Sequence, residues 1–66
     1  MKQSITIYYA NGRESITFDG QTACLQAYRW LGQHMIVGAV CKYNHSQFGS
    51  ITWSRLKELA QKEANR

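Results

Sequence analysis

The chain has 66 residues, 44% of them hydrophobic, and a formal net charge of +4 from eight Lys and Arg against four acids. A chain this short is expected to form one compact domain over residues 1–66, burying only about 60% of the surface its unfolded form exposes. Its longest apolar run, "MIVGAVC", is far below the roughly 20 residues a membrane-spanning helix needs, and "MKQSITIYY" lacks the apolar core of a secretory leader.

A cytoplasmic location is therefore expected, with Cys24 and Cys41 as thiols rather than a disulfide. The basic balance favours acidic partners and argues against a mimic of nucleic acid. No proline, repeat or low-complexity stretch marks a linker, and only the last few residues are expected to fray.

The first element in chain order is a hairpin. In "SITIYYANGRESITF", Asn11-Gly12 lies between two alternating runs, and both residues tolerate the positive φ of a two-residue type I′ turn. A turn there sets Ile7 opposite Ile16, Ile5 opposite Phe18 and Tyr9 opposite Glu14. Side chains alternate with period two, so Ile5, Ile7, Ile16 and Phe18 share an inner face. Thr6, Tyr8, Ala10, Arg13, Ser15 and Thr17 share the outer one. A slip of one residue would expose all four large apolar groups.

"DGQTACLQAYRWLGQ" changes period to that of a helix. Asp19 or Thr22 can cap its start, Cys24, Tyr28, Leu31 and Met35 form a stripe with Ala27, and Gly32 is the expected stop. "HMIVGAVCKYN" reads as a third strand, because Gly38 and the β-branched Ile36, Val37 and Val40 weigh against a continued helix.

"NHSQFGS" reads as a loop whose Ser50 caps a last helix, "ITWSRLKELAQKEANR". Trp53, Leu56, Ala60 and Ala64 form its stripe, and Glu58 precedes Lys62 by four residues, the favourable order for an ion pair. The predicted fold is α+β, hairpin–helix–strand–helix (ββαβα): a three-stranded antiparallel sheet covered on one face by helices. Its core joins the four hairpin residues to Leu25, Tyr28, Leu31 and the last stripe.

Chemistry is sparse. Cys24, His34, Cys41 and His45 are zinc-ligand types, but only Cys41 and His45 are closely spaced, and Cys24 falls on an apolar stripe where free cysteine packs as a small hydrophobe. Buried thiols, exposed histidines and no metal or cofactor are the expectation. No carboxylate completes a Cys41–His45 pair into a nucleophile, base and orienting group, so an enzyme is not expected.

Binding is the remaining class. Tyr, Trp and Arg anchor protein interfaces, which nominates Tyr8, Arg13, Trp30, Tyr43 and Phe48, with Arg55 and Lys57 in support. The leading expectation is a small regulatory or inhibitory module that binds another protein, of the kind found among phage or plasmid accessory proteins. The alternative is a nucleic-acid binder. Its ribbon would present Lys2, Thr6, Arg13 and Thr17, and its last helix Arg55, Lys57 and Lys62. Against it stands a low density of basic residues on the ribbon. A strand edge, Ser4 to Tyr9 or Met35 to Tyr43, is also expected to suit pairing with a partner's strand, including that of a second copy.

Overall fold

The computed structural model describes residues 3–65; Lys2 lies outside them. Strands β1 (Ser4–Tyr9) and β2 (Glu14–Asp19) form the predicted hairpin in the predicted register: Ile7 pairs with Ile16, Ile5 with Phe18 and Tyr9 with Glu14. The turn is wider in its conformation than expected. Ala10, Asn11 and Gly12 are all left-handed, with φ of 53°, 59° and 81°, and the amide of Gly12 donates to Tyr9 O at 3.0 Å. Asn11 and Gly12 accept that geometry easily, whereas nothing in the identity of Ala10 signals it.

Ile5 and Ile7 are fully buried, while Ile16 and Phe18 are half-buried because β2 is an edge strand. On the outer face, the Thr6 and Thr17 hydroxyls meet at 2.9 Å.

Helix α1 (Ala23–Gln33) follows Thr22, whose hydroxyl accepts from Gln26 Nε2 at 3.0 Å rather than capping a backbone amide. Gly32 lies inside the helix and does not stop it. The stop is Met35, left-handed at φ 55°. Its amide donates to Gly32 O at 3.2 Å, and the amide of Ile36 donates to Leu31 O at 3.0 Å. That pair of bonds is a Schellman motif, in which Ile36 folds back onto Leu31. Glycine is the usual residue at the left-handed position. Met35→Gly is therefore expected to raise stability by about 0.5–1 kcal/mol, the strain relieved outweighing the flexibility gained by the unfolded chain. Thermal melts check it: an unchanged or lower Tm contradicts the strain.

The predicted strand over residues 34–44 is corrected. The chain leaves Met35 extended, makes one 3-10 turn at Gly38–Val40, and only then forms strand β3 (Lys42–His45). The helix reversal and a close packing of Gly38 under Trp53 fix this path. The loop predicted at residues 44–50 is also corrected. Strand β4 (Gly49–Ile51) pairs with β3, so the sheet has four antiparallel strands rather than three, in the order β2-β1-β3-β4. Gly49 takes φ 69° after the turn, a conformation glycine adopts without cost.

Ser50 thus belongs to β4, and Thr52 caps helix α2 (Trp53–Ala64), its hydroxyl accepting from the amide of Arg55 at 3.2 Å. Both helices pack on the inner face, around Ile5, Ile7, Ala23, Cys24, Ala27, Leu31, Tyr43 and Leu56. Ala23 and Ala27 let α1 approach the sheet closely, which turns Tyr28 off the core: it is 43% exposed and stacks on Trp53. In α2 the third inward position after Leu56 and Ala60 is Glu63, not Ala64, which is exposed. Glu58 pairs with Arg55 at 3.1 Å instead of with Lys62. Among the described residues no helix is long and apolar enough to cross a membrane.

Candidate interaction surfaces

The most conspicuous surface feature is the α1–β3 connection. Met35, Val37 and Val40 are 91%, 64% and 80% exposed, within one six-residue span. Such side chains normally collapse inward. Here the backbone forbids it. The left-handed Met35 throws its side chain out, and Gly38 is buried with Trp53 lying directly on it. Tyr43 Oη donates to Gly38 O at 2.6 Å, fixing the turn from below. Between them, Ile36 and Cys41 take the inward places. Val40 shares a depression of mixed polar and apolar lining with Tyr8, Asn11, Gly12 and Lys42, which joins the connection to the outer face of the sheet.

Trp53 is the keystone beneath it. Its ring stacks with Tyr28 at 5.6 Å and with Tyr43 at 6.1 Å, and Lys57 Nζ stands 5.5 Å from its centroid. Burial drives the Tyr43 hydroxyl pKa well above the usual tyrosine range, so it remains a donor at neutral pH.

The nominated contact residues fall in several places. Tyr8 is partly exposed on the outer face, and Arg13 is exposed at the hairpin turn. Trp30, expected off the core, is half-buried, with its ring 5.0 Å from Tyr9, 6.1 Å from Phe18 and 4.5 Å from His34. Tyr43, expected on the surface, is core. Phe48 is half exposed on the β3–β4 turn, against His45 and under the Arg55 guanidinium. It sits beside the Ile5–His45 end of the sheet, whereas Tyr8 pairs with Lys42 at the other end. These residues do not form one patch.

The groups nominated for nucleic acid are also divided. Thr6 and Thr17 face outward, while α2, with Arg55, Lys57 and Lys62, packs on the inner side. The sheet lies between them.

A buried polar chain crosses the molecule's other end. Glu63 accepts from the amide of Leu25 and from Gln3 Nε2, both at 3.0 Å. Gln3 Oε1 accepts from His45 Nε2 at 3.0 Å, and His45 Nδ1 accepts from the amides of Gln47 at 3.0 Å and Phe48 at 3.4 Å. The two amide donors at Nδ1 place the imidazole proton on Nε2. His45, expected exposed, is therefore buried, and burial lowers its pKa, with Glu63 opposing. His34 is exposed, its Nδ1 donating to Trp30 O at 2.9 Å. Burial pushes the Cys24 thiol up to about 12, with the Glu63 charge adding to it, and burial also raises Cys41. Among the described residues no group of three or more His, Cys, Asp or Glu is placed to hold a metal ion.

Sequence reasoning missed Met35, Val37 and Val40 by assigning them to a strand, and missed Gln3 and Glu63 because polar residues at chain ends read as solvated. The signal for the first group was present: an apolar run interrupted by Gly38 and bounded by no alternation. No protein-family model, no curated protein and no solved structure matches this chain.

Proposed function

We propose that this protein is a small non-enzymatic module that regulates another protein by binding it through the Met35–Val40 connection and the adjoining Tyr8. The observation that carries the reading is the exposure of Met35, Val37 and Val40 on a segment that Gly38, Trp53 and Tyr43 hold rigid. Contiguous exposed apolar surface marks interaction sites, and a pre-ordered segment loses little conformational entropy on binding. Lys42, beside Val40 and Tyr8, supplies a charged rim suited to an acidic margin on the partner.

The test is capture from lysate by the tagged protein at 50 and 200 mM salt, with and without nuclease, using wild type and a Val37→Asp/Val40→Asp variant. Both valines point to solvent, so the variant is expected to fold with stability within about 0.5 kcal/mol of wild type. It should lose at least about tenfold in partner retained, while salt changes wild-type retention little. Phosphate contacts would weaken by orders of magnitude over the same salt range. Retained material that vanishes with nuclease, or that binds the variant equally, rules the reading out.

A further inference from the structure

We infer that the free edge of β2 pairs antiparallel with β2 of a second copy, about a two-fold axis at Thr17, joining two four-stranded sheets into one. This surface is separate from the Met35–Val40 connection.

The hydrogen-bonding phase of the hairpin selects the register. The amide of Gly20 donates to Gln3 O at 2.9 Å, directly across the ladder, so Gly20, Phe18, Ile16 and Glu14 turn their backbone groups toward β1. On β1's other side, Ser46 N donates to Ser4 O at 2.9 Å, which confirms the same alternation. Ser15, Thr17 and Asp19 consequently aim their N–H and C=O groups off the edge. An axis at Thr17 sets Thr17 against Thr17 and Ser15 against Asp19 in both directions, using every outward group of the strand. Asp19 O already takes a long bond from Gln26 Nε2 at 3.3 Å and keeps a second lone pair for the ladder. An axis at Ile16 or at Phe18 leaves part of this set unmatched.

Side chains agree with that register. It brings Ile16 against Phe18 of the second copy on the inner face, covering the two hairpin residues that one copy leaves half-buried. Trp30, packed on Phe18 from α1, closes over the same seam. On the outer face, Arg13 becomes the diagonal neighbour of Asp19 in the other copy, an opposite-charge contact made twice. The edge is lightly guarded: β2 has six residues and no proline, lysine or bulge, and its charges, Glu14 and Asp19, stand only at its two ends, whereas the other edge, β4, is only three residues long.

Sedimentation equilibrium between about 1 μM and 1 mM, the span expected for a small interface, tests this. The apparent mass should rise from 7.6 kDa toward twice that value. Thr17→Pro removes an outward amide together with the exposed hydroxyl contact to Thr6, and Thr17→Lys opposes like charges across the axis. Both should remain folded by circular dichroism and stay monomeric over the whole range. Amide exchange should slow at least about tenfold at Ser15, Thr17 and Asp19 as concentration rises, with Ile16 and Phe18 protected throughout. A wild type of single mass at every concentration overturns the proposal. So does a dimer that survives both substitutions, or exchange at Thr17 that ignores concentration.

Discussion

Gly38→Ala is expected to cost about 3 kcal/mol, a large part of the roughly 3–10 kcal/mol that holds a domain of this size together. An added Cβ would stand 2.6 Å from Trp53 Cη2 and closer still to Cζ3 and Cε3 of the same ring. The ring has little room to step aside, because Tyr28 and Tyr43 both stack against it. Moving the backbone instead would break the bond from Tyr43 Oη to Gly38 O, leaving a buried hydroxyl unpaired. Urea unfolding followed by tryptophan fluorescence measures the loss. A second substitution, Trp53→Leu, makes room for the methyl group. In a double-mutant cycle it should therefore cost less in the Gly38→Ala background than in wild type. Additive effects, or a Gly38→Ala variant within about 0.5 kcal/mol of wild type, would show that the ring does not pin the turn. Because the same contact holds Val37 and Val40 outward, the partner binding proposed for them should fall along with stability.

The other large effect is expected at the opposite end of the molecule. Glu63→Ala should cost about 2–3 kcal/mol, since it strips the acceptor from the Leu25 amide and from Gln3 Nε2 at once. Glu63→Gln should recover only part of this. Its amide nitrogen would confront that of Gln3, and turning Gln3 over would set an N–H against the N–H of His45. The chain of bonds runs one way, and each member fixes the orientation of the next.

That polarity gives the end a pH dependence. The folded-state pKa of His45 lies below its unfolded value near 6.5, so the unfolded chain binds the proton more readily. Stability from this residue is then complete above about pH 6.5 and is lost as the pH falls through the lower, folded pKa. Protonation would place a hydrogen on Nδ1, facing the amides of Gln47 and Phe48. Unfolding midpoints measured from pH 8 to pH 5 should decline in wild type and decline less in His45→Gln. Parallel profiles would contradict the assigned tautomer.

Local patterning determined the hairpin. The alternation of Ile5, Ile7, Ile16 and Phe18 and the turn at Asn11-Gly12 define register without help from the rest of the chain, because a one-residue slip exposes the whole apolar set. The α+β class and the placement of both helices on the inner face follow from the same periodicities. What periodicity could not supply was the course of residues 34–51. Ile36, Val37 and Val40 carry strand propensity, yet strand formation needs a neighbour. The place beside β1 went to Lys42–His45, whose alternate residues Tyr43 and His45 have partners beneath them in Gly38 and Gln3. Similarly, nothing local distinguishes Glu63 from any solvated glutamate. Only when α2 folds over α1 does the Leu25 amide arrive beside it, 38 positions away in sequence, and make its burial favourable. Short-range spacing therefore set which faces turn inward, whereas the exposed valines, the fourth strand and the buried polar chain were decided by groups that meet only on folding, because their hydrogen-bond and packing partners lie far along the chain.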